Sequence, residues 1–241
     1  MQFKETDYYV KQDFDETSLD YSKADKYISG IDVFSRNTDS CFFIFDYFKH
    51  KYLFLKSYNE YFTEHLNIID NPYLFFNNKL HPEDVVFVYK LQHKVFSFVK
   101  EFPIENRQNF RLKYKVRMIN KSGDFQMTDV ELILLETDKN GNIWLVLFVL
   151  KKSSTENFMI PELRTADNTS IPFVLNLKLL NSFSQPEQDI IFELFSDKSN
   201  EEIALKLSRS VNTVKYHKKS IYDQMGVVSK FELQKRVLLD Y

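Results

Sequence analysis

Residues 199–225 read SNEEIALKLSRSVNTVKYHKKSIYDQM, and this stretch decides the fold of the carboxyl-terminal part of the chain. Ser199 stands three residues ahead of Glu202 and just before Ile203, Ala204 and Leu207. That spacing predicts a capping box: the Ser side chain takes an orphan amide of the first turn while the Glu reaches back. Ser210 follows after only Ser208 and Arg209, and caps a second helix carried by Val214, His217, Ile221 and Met225. Two short helices joined by so tight a turn predict a helix-turn-helix, whose later helix enters the major groove. At about 100° per residue, with Val214 at zero, His217, Ile221 and Met225 fall between about −60° and +20° and form the inward face. Lys215 then lies at about 100°, Lys219 at about 140°, Asn212 at about 160° and Tyr216 at about 200°. Two ammonium groups, an amide and a phenol share the opposite face. Lys reaches guanine acceptors or phosphate, Asn pairs with adenine, and Tyr stacks or donates.

The flanks extend the pattern. Ser184 and Glu187 make another capping box, opening a helix with Ile190, Ile191, Leu194 and Phe195. Ser229 and Glu232 make a third, opening a helix with Leu233, Val237 and Leu238. Three boxes, each where an apolar stripe begins, predict an all-α unit of four helices over residues 182–241. Charge is divided along it. Residues 182–205 hold six acidic side chains and one basic, Lys198, whereas residues 206–236 hold eight basic ones against Asp223 and Glu232. The basic run reads as a footprint for phosphates. The acidic run reads as a solvated face turned away from DNA, and His217, at the core edge, as structural.

Residues 182–234 resemble the LuxR-type (GerE- or NarL-type) DNA-binding domain of bacterial transcription regulators. The resemblance rests on Phe183 and Ser184 with Glu187, on Ser199 to Ala204, on Leu207, and on the run Ser210 to His217. Ile221, Met225 to Val227, Ser229 and Lys230 complete it. It implies that Lys215, Tyr216 and Lys219 contact bases and that Asn212, Thr213 and Lys218 serve phosphates, with Arg209 of the basic run beside them. It also implies a homodimer whose contact lies on the last helix, at Gln234, Lys235 and Leu238. Three departures stand out: Asp197 replaces a family Gly, Gln224 with Met225 replaces Lys-Leu, and Lys230 replaces an Arg. An acid at 197 disfavours a nearby phosphate, and Lys lacks the bidentate fork of Arg.

The amino-terminal part is of another kind. Residues 1–34 read as an arm, whose acidic first twenty positions are either flexible or a short docked segment. Cys41 to Phe48 and Lys51 to Tyr58 are aromatic and apolar runs that read as strands. Asn59 to Leu66 and the stretch to Leu80 read as short helices and loops. His81, Pro82, Glu83 and Asp84 then open an amphipathic helix to Phe102, with Pro early in the first turn and two acids at the positive dipole end. His81 is thereby a helix-start residue rather than a metal ligand. Residues 109–120, 124–137 and 143–151 read as a three-strand meander, joined by a turn at 121–124 and by a hairpin in which Asn140 and Gly141 supply positive φ. Strand, strand, helices, then three strands resembles a PAS-type sensory domain over residues 35–152. The implied fold is α+β, a five-stranded antiparallel sheet with inserted helices. Residues 153–181, with Pro161 and Pro172, read as an interdomain linker with room for a short helix.

Composition closes other routes. Four Gly in 241 residues, none within fifteen of another, leave no phosphate-cradling loop and no nucleophile elbow. Five scattered His and one Cys offer no metal-ligand spacing, and Cys41 lacks the surroundings of a flavin-linked cysteine. His93 is the one candidate axial ligand for haem. The aromatic wealth that includes Phe42, Phe43, Phe45, Phe87, Phe96, Phe125 and Trp144 reads first as core. No cofactor is expected, and an unidentified small molecule in the PAS-like domain is left open. No apolar run approaches a membrane span and the start has no signal-peptide pattern, so the expected setting is the cytoplasm. The chain is expected to be no enzyme but a transcription regulator, binding double-stranded DNA as a homodimer and engaging the transcription machinery. A ligand- or partner-binding module whose helical tail mediates assembly is the alternative. A response regulator is disfavoured, because its receiver would alternate strand and helix in a parallel sheet.

Overall fold

The computed structural model describes residues 11–56, 71–156, 159, 161–165, 167–171, 177–194 and 198–238. The short helices expected at 59–66, Phe195 and Asp197 lie outside the described residues, as do residues 1–10 of the arm. The chain divides into two compact units, Met1–Glu156 with Pro161–Ile171, and Asn157–Ile160 with Pro172–Tyr241.

The first unit is built on an antiparallel sheet. Its strands are β1 (Cys41–Asp46), β2 (Lys51–Lys56), β3 (Arg111–Ile119), β4 (Phe125–Thr137), β5 (Ile143–Lys152), β6 (Glu162–Arg164) and β7 (Ser170–Ile171), in the order β2-β1-β5-β4-β3-β6-β7. The sheet thus has seven strands rather than the expected five. Residues 162–164 and 170–171, read as linker, instead pair as a short hairpin, β6 with β7, that extends the edge at β3, with Leu112 opposite Leu163. So short a hairpin lacks enough alternation to announce itself, and Leu163 is drawn in by the apolar surface beside it.

Two helices, α2 (Pro72–Asn77) and α3 (Pro82–Val99), cover one face of the sheet. Phe43, Phe45 and Phe148 face them, and Phe43 stacks on Phe148 with ring centroids 4.4 Å apart. The alternate residues Phe42, Ile44, Leu145 and Leu147 face the other way, against helix α1 (Tyr21–Ser35). With both faces covered, β1 and β5 read as unbroken apolar runs, whereas β3 alternates buried and less buried positions.

Helix α1 corrects the reading of residues 1–34 as an arm. Asp20 caps it by accepting from the Ser22 amide at 3.0 Å, and Ala24 sits in the core cluster. Its polar side chains find carboxylates on the sheet. Tyr21 donates to the buried Asp46 at 2.6 Å, while Lys23 and Tyr27 reach the buried Glu136, each at 2.9 Å. Burial and the Glu136 bond push the Tyr27 phenol up to about 12.

The amino end of α3 follows the sequence reading, with additions. His81 caps it, its Nδ1 accepting from the Glu83 amide at 3.3 Å. Asp84, read only as a dipole partner, is buried and takes both the amide and the guanidinium of Arg117 on β3, at 2.7 and 2.6 Å. At its other end, the buried Arg107 donates to the carbonyls of Lys100, Phe102 and Gly141, tying α3 to the β4–β5 turn. In that turn only Gly141 has positive φ; Asn140 does not share it as expected. Phe125, expected in the core, is 45% exposed and makes a T-shaped contact with His81. Among the described residues no helix is long and apolar enough to cross a membrane, and no group of three or more His, Cys, Asp or Glu is placed to hold a metal ion.

Candidate nucleic-acid interface

The second unit contains α4 (Leu177–Leu180), α5 (Gln185–Glu193), α6 (Asn200–Lys206), α7 (Val211–Met225) and α8 (Lys230–Leu238). Among the described residues one short helix, α4, precedes the expected four. The starts of α5, α6 and α7 lie where the Ser residues put them. At α6 the Ser199 amide donates to Glu202 at 2.7 Å and the Glu202 amide to Ser199 Oγ at 3.2 Å. At α5 the Ser184 amide and hydroxyl both bind Glu187, holding its carboxyl below the usual range. At α7 the Thr213 amide donates to Ser210 Oγ at 3.0 Å. In the third box the Glu232 amide donates to Ser229 Oγ at 3.1 Å, and the Glu232 carboxylate takes the Val228 amide at 2.8 Å.

The turn between α6 and α7 is made without Gly. Ser208 takes φ 53°, and the Arg209 amide then donates to Ala204 O at 2.9 Å while the Ser208 amide donates to Leu205 O at 3.2 Å. This is a Schellman end, which satisfies the last carbonyls of α6 and turns the chain directly into the Ser210 cap. Helix α7 ends the same way on Gly226, φ 59°.

The faces of α7 divide as the 100° arithmetic requires. Val214, Ile221 and Met225 are buried, and His217 is half-buried at their edge. Asn212, Lys215, Tyr216 and Lys219 are all exposed, Tyr216 at 72% despite its ring. The structure thus brings Asn212 and the three residues expected to contact bases onto one open face. Thr213 and Lys218 are half-buried at its margins. Thr213 Oγ1 lies 2.7 Å from Ser210 Oγ, and the Lys218 ammonium lies 5.6 Å from the Tyr222 ring centroid. Arg209 sits at the turn, its guanidinium 3.8 Å from the Asp189 carboxylate.

Two expectations need correction. Gln234 is no surface residue: it is fully buried, and its amide donates to Leu194 O at 2.6 Å, closing the end of α5. It therefore holds α8 within its own unit and offers nothing to a partner. The side chains of Lys235 and Leu238 lie outside the described residues. The acidic run, read as a solvated face, is one at Glu201 and Glu202, but Glu193 within it is an internal clamp. Glu193 is buried and takes Lys198 at 2.6 Å and Lys206 at 2.5 Å. Burial alone would raise its carboxyl, but the two ammonium hydrogen bonds bring it below the usual range. Glu187 also accepts from Ser220 on α7 at 3.2 Å. Of this run Glu201 and Glu202 are the exposed ones among the described residues. No spacing in the sequence announces the Glu193–Lys206 and Asp189–Arg209 pairs, because each joins residues on different elements.

Residues 181–236 match the family model of bacterial regulatory proteins, luxR family. This segment is a LuxR-type helix-turn-helix domain. The family it matches is one of regulatory proteins rather than enzymes. No curated protein matches the chain. Solved structures similar to it include one described as VqmA bound to DPO, at 10% identity over 88% of this chain and 91% of that one, with a TM-score of 0.34. A Vibrio cholerae VqmA dimer without target DNA is 12% identical over 86% and 85%, TM-score 0.33. A phage VqmA–DPO complex is 14% identical over 88% and 87%, TM-score 0.33.

Proposed function

We propose that the protein is a transcription regulator that binds double-stranded DNA through its LuxR-type domain. One observation carries this reading: Lys215, Tyr216, Lys219 and Asn212 stand exposed on the face of α7 opposite its buried stripe. On this reading α7 enters the major groove, with Lys215, Tyr216 and Lys219 directed at bases. Asn212, Thr213, Lys218 and Arg209 serve the phosphates that fix register. Two copies bind adjacent half-sites, α8 supplying the contact from positions other than Gln234, and the transcription machinery is the partner that reads the bound dimer.

The first unit is, on this reading, a PAS-like sensory domain of the cytoplasm. Supporting it, strands β1 to β5 follow the order β2-β1-β5-β4-β3, with helices inserted between β2 and β3. Between the sheet and α2 with α3 lies a cavity of about 30 Å3, lined by Phe43, Tyr47, Tyr52, Tyr73, Tyr89 and Gln92 among others. That space holds about two waters, so a signal molecule enters only by displacing rings. Native mass spectrometry of the purified chain reads both a retained molecule and the stoichiometry.

Selection of duplexes from a random pool, followed by binding titrations, tests the DNA half. Lys219→Ala is expected to weaken binding to the selected duplex by about 1–3 kcal/mol and to flatten the salt dependence. Unchanged retention across a salt titration refutes the assignment of the α7 face.

A further inference from the structure

Arg209 belongs to the basic run, yet among the described residues it is the member of the phosphate-directed set that stands beside a carboxylate. Asp189 Oδ2 lies 3.8 Å from its Nη2, while Asp189 Oδ1 is held by the Gln185 amide at 2.9 Å. Gln185 therefore fixes the carboxylate on α5, and the Schellman turn fixes the backbone from which Arg209 departs. Between these two fixed bases the pair is Coulombic only, too long for a hydrogen bond. Both side chains retain solvent contact, at 25% for Arg209 and 36% for Asp189, so the guanidinium is restrained rather than sequestered.

A carboxylate in that position has a consequence for any anion the turn meets. A duplex phosphate approaching Arg209 meets a guanidinium already partly neutralised and a negative charge behind it. The neighbouring ion pairs of α5 differ in kind. Glu193 is buried and hydrogen-bonded to both of its lysines, and it knits α5 to α6 without involving the α7 end.

We propose that Asp189 competes with DNA phosphates for Arg209 and so acts as an electrostatic brake on the helix-turn-helix. The proposal rests on the DNA-binding reading above and adds to it a residue that weakens binding. An exposed pair of this kind changes an equilibrium by no more than about fivefold, which sets the scale. The brake is strongest at low salt, because screening weakens the pair and the phosphate contact alike.

The test is fluorescence anisotropy on a labelled random-sequence duplex at low salt, with the full chain. Four proteins are compared: wild type, Asp189→Asn, Arg209→Ala and the double variant. Asp189→Asn is expected to tighten binding about two- to fivefold, Arg209→Ala to weaken it, and Asp189→Asn to give no gain once Arg209 is gone. Weaker or unchanged binding by Asp189→Asn overturns the proposal and makes the pair a structural tie. An equal gain in both backgrounds also overturns it, because the effect would then be the general field of one lost charge. If the wild type itself shows no retention on duplex, the DNA-binding reading falls and the proposal with it, an outcome visible in the wild-type arm alone. Thermal melts accompany each variant, and Asp189→Ser repeats the measurement should Asp189→Asn melt early.

Discussion

Replacing Glu193 by Ala tests whether the acidic run of the second unit is a clamp or a solvated surface. Its carboxylate accepts from Lys198 at 2.6 Å and from Lys206 at 2.5 Å, bridging the end of α5 to both ends of α6. The two lysines keep 34% and 54% of their side-chain exposure, so on truncation both return to water and no buried charge is stranded. The loss is therefore that of two partly solvated, charge-assisted hydrogen bonds plus the packing of a buried side chain, about 1–3 kcal/mol. The pH dependence has a definite sign. Because the folded carboxyl lies below its unfolded value, its contribution is fully present above the unfolded pKa and is lost as pH falls through the folded one. Glu193→Gln is expected to flatten that part of the acid transition. Urea unfolding of the full chain followed by far-ultraviolet circular dichroism reads both effects. Trp144 fluorescence reports the other unit and should be unaffected. Glu201→Ala, at an exposed position of α6, is the control and should cost no more than about 0.5 kcal/mol. A Glu193→Ala loss as small as that of the control refutes the clamp.

Arg107→Ala should destabilise the first unit by about 2–4 kcal/mol, since three carbonyls, those of Lys100, Phe102 and Gly141, lose their donor. Trp144 emission during urea unfolding measures it, and a loss under about 1 kcal/mol would show that water replaces the guanidinium at no cost. Gly226→Ala should destabilise the second unit by about 1 kcal/mol, because a Cβ is strained at φ 59° even though nothing lies within 4 Å to collide with it. Amide hydrogen exchange at the end of α7 reads it locally, and unchanged protection there would count against the left-handed end.

The sequence by itself determined the helix starts of the second unit and the division of α7 into two faces. The reason is locality: a cap is settled between residues three apart, as at Ser199 with Glu202 and Ser210 with Thr213, and a helical face follows from 3.6-residue spacing alone. It also determined the strands whose neighbours cover them. β1 and β5 read as apolar runs because α1 and α3 lie on either side. Helix α1 itself carried a legible cap at Asp20 and apolar residues at Tyr21, Ala24, Tyr27, Ile28 and Ile31. Its reason to fold, however, is the outer sheet surface of Phe42, Ile44 and Leu147, which exists only once distant strands have paired. The β6–β7 hairpin is likewise too short to be stable away from β3. Where charges end up was decided by tertiary structure alone. Glu193 meets Lys206, Asp189 meets Arg209 and Gln234 meets Leu194 O across 13, 20 and 40 positions of chain, distances at which spacing in the sequence says nothing about who stands opposite whom.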